Sequence, residues 1–157
     1  MYQAVAPSAS IESVATLRRV LLATDQSTAS DRATDEAIRL AVDSGALLVV
    51  LSVVDPRRLR LPGGLILRRI DQERSRLEAG AMGLADRARA AGATATFLVW
   101  EGDPADVILE ASAAECVDVV ILGSHRRGLL GRLVLGSMSA RVAEEAQCPV
   151  LVVPRGA

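Results

Sequence analysis

The sequence predicts an α/β protein built on one open parallel sheet, and two patterns support that prediction. Five short apolar segments, most of them rich in β-branched residues, alternate with four segments in which apolar residues recur at helical spacing. Such an alternation implies right-handed crossovers, which place helices on both faces of a parallel sheet. The chain has 157 residues, half of them hydrophobic, which is enough for a substantial core. We expect a loosely held tail over residues 1–16 and one domain over residues 17–155.

The first part of this domain has the pattern strand, helix, strand. Residues 18–25, RRVLLATD, form a short apolar run that ends in an acid, typical of a central strand buried on both faces. The turn QSTAS follows, and apolar residues then recur at helical spacing up to Gly45, which suits a helix C-cap. Residues 46–54, ALLVVLSVV, predict a second buried strand, and an Asp-Pro pair ends it.

A basic, irregular connection over residues 57–64 leads to the longest amphipathic helix. We interpret the basic stretch over residues 57–69 as a solvated loop, with a lid over the site as the alternative. From Leu67 to Ala91 apolar residues recur every three or four positions, with Arg74 as the exception. A coiled-coil seam would look similar, but the stripe is short and rich in small residues, which favours packing on a sheet. Residues 94–100, TATFLVW, alternate more and predict an outer strand.

The rest of the chain repeats the alternation. Asp103 is the expected N-cap of the third helix, because Pro104 follows at the first helical position. Residues 119–122 predict the fourth strand, and the last helix includes residues 138–146. Residues 149–153, PVLVV, predict a final strand at an edge of the sheet, where an apolar strand aggregates unless it is covered.

The loop over residues 123–137, GSHRRGLLGRLVLGS, is the strongest candidate for a binding site. It lies between a strand and a helix start, where unpaired backbone N–H groups and the helix dipole favour an anion such as phosphate. Its glycines allow close approach of a ligand, its serines add hydroxyl donors, and its arginines add positive charge. Ligands of parallel sheets bind beyond the carboxyl ends of the strands, where strand order reverses, and this rule brings Asp25 to the same loop.

Several of these residues also have simpler interpretations, which the sequence leaves open. Asp25 could cap the turn after the first strand, and Ser137 could cap the last helix, with or without a ligand. His125 follows Ser124, but adjacent side chains rarely face each other, and the chain has neither a second histidine nor a G-x-S-x-G elbow. We therefore predict no catalytic triad.

Composition argues against several classes of protein. A net charge of −1 disfavours a general nucleic-acid binder, and no apolar run reaches membrane-spanning length. All 18 basic residues are arginine, so the chain has no Walker A lysine and no lysine nucleophile or base. Cys116 and Cys148 are expected to be buried free thiols, and with one histidine they do not supply a usual zinc site. We expect a soluble, cytoplasmic protein without a metal site of its own.

Four pieces of the chain resemble the universal stress protein family. They are VLLATDQS, LSVVD, EGDPADVILEASAAECVDVVILGS and LGSMSARVAEEAQCPVLVVP, and their order and spacing match across residues 18–154. The resemblance implies a Rossmann-like fold, similar to the adenine nucleotide alpha hydrolases, with a five-stranded sheet of order 3-2-1-4-5. It also implies a homodimer formed through the strand over Pro149 to Val153.

The ATP-binding branch of that family carries glycine, two residues, glycine, nine residues, glycine, then serine or threonine. Gly123, Gly136 and Ser137 match this motif, whereas Arg126 occupies the position of the second glycine. A positive φ there would cost a side-chain-bearing residue about 1–2 kcal/mol, and a phosphate close to that Cα would be blocked. In the alternative, the glycine has moved two positions along the chain and an arginine clamps phosphate through its planar fork.

The resemblance thus implies a site for ATP, with or without Mg²⁺. Asp25 and Ala23 would lie by the ribose and adenine, Val53 would contact the adenine, and the glycine loop would hold the phosphates. The complete expected site is Ala23, Asp25, Val53, Gly123, Ser124, Arg126, Arg127, Gly128, Gly136 and Ser137. The implied function is a stress-response module in which ATP occupancy changes shape or protein partners. A nucleotide-free dimer acting through protein contacts and a slow ATP hydrolase are the alternatives, and no general base is evident for the latter.

Overall fold

The computed structural model describes residues 16–59, 66–124, 126–127 and 133–155. In chain order its strands are β1 (Arg19–Ala23), β2 (Leu47–Val54), β3 (Thr94–Glu101), β4 (Val119–Ser124), β5 (Arg126–Arg127), β6 (Leu133–Val134) and β7 (Val150–Pro154). Its α-helices are α1 (Asp31–Ser44), α2 (Ile66–Ala90), α3 (Pro104–Ala114) and α4 (Ser137–Glu145). Single 3-10 turns occur at Thr28–Ser30 and Pro56–Arg58.

The main sheet is parallel and has the order β3-β2-β1-β4-β7. β1 lies at its centre, with Ala23 aligned with Leu51 of β2 on one side and with Leu122 of β4 on the other. This order confirms the expected 3-2-1-4-5 arrangement, with β7 as the fifth strand of the sheet. Because strand order reverses between β1 and β4, a crevice opens beyond their carboxyl ends. β5 and β6 form a separate antiparallel pair.

Apolar residues cover both faces of this sheet, as expected for strands without polar alternation. Val20 and Leu22 of β1 pack with α1 and α2 on one face, and Leu21 and Ala23 pack with α3 and α4 on the other. Successive side chains of a strand point to opposite faces, so a strand covered on both sides must be apolar throughout. This requirement explains the continuous apolar run VLLA from Val20 to Ala23, all four of which are buried.

α2 packs against β2 and β3 through small side chains. Its buried residues are Leu77, Ala81, Ala85 and Ala88. Arg74, the exception in the apolar stripe, reaches the edge of the sheet instead. Its Nη1 donates to the carbonyl of Val99 at 3.4 Å, and its Nη2 lies 2.9 Å from the carboxylate of Glu101. The arginine therefore extends the contact between helix and sheet beyond the alanines.

The starts of α3 and α4 differ in their capping. Asp103 caps α3 as expected, since its carboxylate accepts the backbone N–H groups of Ala105 at 3.1 Å and Asp106 at 3.2 Å. At α4 the N-cap is Gly136, which offers no side-chain cap, and Ser137 is the first helical residue. The interpretation of Ser137 as the helix cap is therefore wrong. The N-cap is Gly136, which has no side chain that could cap the first N–H groups of α4.

The two cysteines are less buried than expected. Cys116 is exposed, because it lies in the turn after α3 with a left-handed backbone at φ 49°, and Cys148 is half-buried just before β7. Both are free thiols. Burial raises the pKa of the Cys148 thiol. The expectation of buried thiols rested on apolar neighbours in the sequence. Those neighbours belong to the strands that follow the cysteines, so the expectation was wrong.

Two further expectations concern the N-terminal tail and membrane-spanning helices. The expected tail lies outside the described residues except for Thr16, so the domain limits stay a prediction. No helix in the described part of the chain is both long and apolar enough to span a bilayer.

Candidate functional site

A cleft of about 720 Å³ opens beyond the carboxyl ends of β1, β2 and β4. Sites for small organic ligands usually measure about 300–1,000 Å³, so this cleft is large enough for one. Six of the residues expected at the site line the cleft: Ala23, Asp25, Val53, Gly123, Gly136 and Ser137. They come from four segments of the chain, which the sheet topology brings together as the switch-point rule requires.

The remaining residues expected at the site have other places. Ser124 is buried at the end of β4. The backbone of Arg126 and Arg127 forms β5, in which Arg126 is paired with Val134 of β6. Strand backbone is extended, a conformation open to any L-residue, so the penalty considered for arginine at position 126 does not arise. Gly128 lies outside the described residues.

Asp25 organises the turn that follows β1. Its Oδ1 accepts the backbone N–H of Ser27 at 3.0 Å and the Ser27 hydroxyl at 2.7 Å, and the Ser30 hydroxyl lies 3.4 Å away. An aspartate that bonds the backbone two residues on is the usual device of such a turn. The capping interpretation of Asp25 is confirmed, and the same turn keeps the exposed carboxylate in the wall of the cleft.

Gln26, which the sequence analysis did not single out, fastens this turn to the rest of the fold. Its backbone is left-handed, with φ at 62°. Its Nε2 donates to the Ser52 hydroxyl at 2.9 Å and to the carbonyl of Leu77 in α2 at 2.8 Å. Ser52 in turn donates to the carbonyl of Thr24 at 2.9 Å. Ser52 is the lone polar residue in the apolar run of β2, and that was the signal in the sequence for this connection. In the structure Ser52 is fully buried.

The two glycines that line the cleft differ in what the fold demands of them. A β-carbon on Gly123 would stand 3.4 Å from the Cα of Ser30, an ordinary van der Waals contact, so a side chain there has little room to spare. Gly136 has an ordinary φ of −67°. A β-carbon there would meet no atom within 4 Å in the described part of the chain. Neither the backbone conformation nor the described packing requires a glycine at 136. Close approach of a ligand would explain why this position has no side chain.

Arg57 crosses the mouth of the cleft between two acids. Its Nε lies 3.0 Å from Oδ1 of Asp55, and its Nη2 lies 3.0 Å from Oδ2 of the same carboxylate. The same Nη2 lies 2.6 Å from Oδ2 of Asp103 at the start of α3. These contacts join the segment after β2 to the N-terminus of α3. The connection was expected to be a solvated loop, and Arg57 was not among the expected site residues.

Arg141 reaches the same carboxylate from α4. Its Nη1 lies 3.4 Å from Oδ1 of Asp103, its Nη2 contacts Asp106, and its Nε lies 3.0 Å from Glu145. Arg141 follows Ser137 by one helical turn, so the two residues share a face of α4. Both line the cleft.

Three carboxylates of the cleft lining, those of Asp55, Glu73 and Asp103, are held in their charged form. The Arg57 guanidinium lowers the pKa of Asp55, although burial opposes it. The backbone N–H of Asp106 lowers the pKa of Asp103, and Arg57 and Arg141 lower it further. On the opposite wall, the side chain of Arg76 lowers the pKa of Glu73, with Nη2 at 2.6 Å from Oε1. All three acids are therefore ionised at neutral pH.

Comparisons with known proteins show which family the chain is similar to. A family model described as the universal stress protein family matches residues 16–154. A curated relative from Thermus aquaticus, "Universal stress protein in QAH/OAS sulfhydrylase 3'region", is 34% identical over 145 residues, or 87% of this chain and 98% of the relative.

Solved structures of the same kind superpose on the chain. Universal stress protein UspA from Lactobacillus plantarum shares the fold with a TM-score of 0.77 at 23% identity, over 88% of this chain and 99% of that one. A crystal structure of a universal stress protein in complex with cAMP has a TM-score of 0.67 at 28% identity. That similarity covers 88% of this chain and 98% of the other.

Proposed function

The chain belongs to the universal stress protein family, and from that premise we propose that it is a regulatory module that binds an adenine nucleotide in the cleft. The observation that carries the proposal is Gly136, a cleft-lining glycine with an ordinary backbone and with open space around it among the described residues. The complex of a relative with cAMP adds support, because it concerns a nucleotide with an adenine base. We take ATP as the nucleotide.

The lining of the cleft offers a separate surface to each part of such a ligand. Ala23 and Val53 present apolar groups to the base, and the Asp25 carboxylate accepts hydrogen bonds from ribose hydroxyls. Gly136 and Ser137 stand at the start of α4, where backbone N–H groups and the helix dipole favour phosphate. A Mg²⁺ ion would be held mainly by the phosphates and water, with cleft carboxylates as further oxygen ligands.

We propose binding, and not hydrolysis, as the function of the site. Among the residues that the structure describes, the cleft lining contains no histidine and no cysteine. Asp55, Glu73 and Asp103 are each bonded to an arginine, and each has a lowered pKa. A carboxylate with a lowered pKa is a poor general base. Any ATPase activity would be weak, and occupancy of the cleft would act by changing shape or protein partners.

A homodimer is part of the same proposal. β7 pairs with β4 on one side and forms an edge of the sheet on the other. Leu151, in the middle of β7, is 45% exposed. Antiparallel pairing of β7 with the same strand of a second copy would cover this apolar edge and make a two-fold contact. The free thiols of Cys116 and Cys148 support a reducing, cytoplasmic location.

Native mass spectrometry of the freshly purified protein, with identification of released small molecules, tests this proposal. We expect a dimer that carries one adenine nucleotide per subunit or takes up added ATP. An empty dimer that binds no ATP at millimolar concentration would contradict nucleotide binding and support a module that acts through protein contacts alone. A monomer at micromolar concentration would contradict the dimer.

A further inference from the structure

Asp103 is shared by two arginines at the mouth of the cleft. Arg57 approaches its Oδ2 at 2.6 Å, and Arg141 approaches its Oδ1 at 3.4 Å. The two arginines come from opposite sides, one from the segment after β2 and one from α4. Because Arg141 shares a helix face with Ser137, the shared carboxylate lies at the end of the cleft assigned to phosphate.

Charges in the described lining of the cleft are balanced. The cationic residues are Arg57, Arg58, Arg76 and Arg141, and the acidic residues are Asp25, Asp55, Glu73 and Asp103. A chain of two or three phosphates would bring several negative charges into this balanced set. Such a ligand therefore gains most affinity if its phosphates replace a carboxylate as the partner of a guanidinium group.

The contacts to Asp103 are suited to this exchange. The side chains of Arg57 and Arg141 are 64% and 42% exposed. Ion pairs with such exposure are weak, whereas an arginine that binds phosphate through two N–H groups forms a strong, charge-assisted contact. The other partner of Arg57 is different, since the Asp55 side chain is only 8% exposed and holds both Nε and Nη2. Asp55 thus holds Arg57 in place while a phosphate replaces Asp103 as the other partner of the guanidinium group.

We propose that Arg57 and Arg141 select nucleotides by the number of their phosphates. Asp103 holds Arg57, and together with Asp106 and Glu145 it holds Arg141, until a polyphosphate chain displaces it. This inference rests on the proposed nucleotide site. Nucleotides with a single phosphate, such as AMP and cAMP, end before the arginine pair and leave it on Asp103. Nucleoside diphosphates and triphosphates reach it and gain affinity with each added phosphate.

Isothermal titration of AMP, ADP and ATP at one fixed salt concentration tests the selection. Asp103→Asn is the informative variant, because asparagine caps a helix as well as aspartate does but carries no charge. We expect it to raise the affinity for ATP about fivefold to tenfold and to leave the affinity for AMP unchanged. Arg57→Gln and Arg141→Gln should each lower the affinity for ATP by a similar factor without changing that for AMP. Arg74→Gln, whose arginine pairs with Glu101 outside the cleft lining, should change neither.

Four results would overturn the inference, and only the last of them also concerns the nucleotide site itself. Equal affinity of the wild type for AMP and ATP removes the selection but leaves the nucleotide site intact. Equal losses of affinity for AMP and ATP in both arginine variants would also remove the selection and leave the nucleotide site intact. Weaker binding of ATP by Asp103→Asn would have the same meaning. Failure of the wild type to bind any of the three nucleotides overturns the proposed function as well. Circular dichroism melting verifies that each variant is folded, and the arginine variants decide the question if Asp103→Asn is not.

Discussion

The side-chain amide of Gln26 fills the space in which a β-carbon of Gly80 would stand. Gly80 lies in the interior of α2, where alanine would normally be the better residue by about 1 kcal/mol. The glycine is therefore required by the residue packed against it and not by the helix. Through its bonds to Ser52 and Leu77, Gln26 joins the turn that bears Asp25 to both β2 and α2.

Gly80→Ala should destabilise the protein, contrary to helix propensity. The added methyl group would force the Gln26 side chain away from Ser52 and Leu77, and the loss of two partly buried hydrogen bonds costs about 1–3 kcal/mol, more than the helix gains. Gly83→Ala is the matched control, because a β-carbon there meets no atom of the described residues within 4 Å, and it should stabilise by about 0.5–1 kcal/mol. Urea unfolding measures both changes.

The same contact predicts a change of sign in a double-mutant cycle. With Gln26→Ala already present, Gly80→Ala should become stabilising, as Gly83→Ala is, because the clash has been removed. If Gly80→Ala and Gly83→Ala shift the free energy of unfolding in the same direction in the wild-type background, Gln26 does not constrain Gly80.

Gly136→Ala should separate ligand binding from folding. Since the backbone there is ordinary and the described surroundings are open, the free energy of unfolding of the empty protein should fall only by the roughly 1 kcal/mol that makes alanine a poorer N-cap than glycine. A methyl group beside the start of α4 would block the approach of phosphate, so we expect the affinity for ATP to fall at least about tenfold. Titration calorimetry compares this variant with Gly83→Ala. Unchanged affinity would show that phosphate does not pass Gly136.

Asp118 predicts a particular dependence of stability on pH. Its Oδ2 accepts the backbone N–H groups of Arg18 at 2.7 Å and Arg19 at 2.9 Å, and its pKa is lowered, chiefly by the bond from Arg19. A carboxylate with a lowered pKa in the folded state contributes stability above its unfolded value of about 4, and that contribution is lost as the pH falls through the folded value.

Asp118→Asn should therefore be less stable than the wild type at pH 7, and the difference should disappear as the pH falls well below 4. Urea unfolding at pH 7, 4 and 3 measures the difference. A difference that stays constant over this range would mean that the charge of Asp118 contributes nothing, and that only its shape matters.

The proposed dimer predicts different results for two exposed leucines. Leu151→Arg would place a charge in the middle of the apolar edge of β7, so we expect monomers at micromolar concentration. Leu67→Arg changes a more exposed leucine, at 72%, at the start of α2, and should leave the dimer intact. Sedimentation velocity distinguishes the two outcomes. Equal effects of both variants would place the interface elsewhere.

The parallel sheet could be predicted because burial on both faces leaves uninterrupted apolar runs, such as the one in β1, whereas the order of its strands was implied by the family resemblance. The start of α3 could be predicted as well, since an aspartate before a proline is a strong local signal. The contacts of Arg57 and Arg141 could not, because a paired arginine and a solvated one look alike in a sequence. Their meeting at Asp103 depends on how three distant segments pack. Gln26 was missed for a related reason, as nothing in its neighbours indicates a left-handed backbone.

One helix carries both a wall of the cleft and part of the core. Glu73, Arg76 and Leu77 of α2 line the cleft, while the buried alanines further along the same helix determine how near it comes to β2 and β3. A larger side chain in place of one of these alanines would push the helix outward, and the cleft would widen with it. Relatives of this protein could therefore come to accept ligands of another size through substitutions at positions that no ligand ever touches.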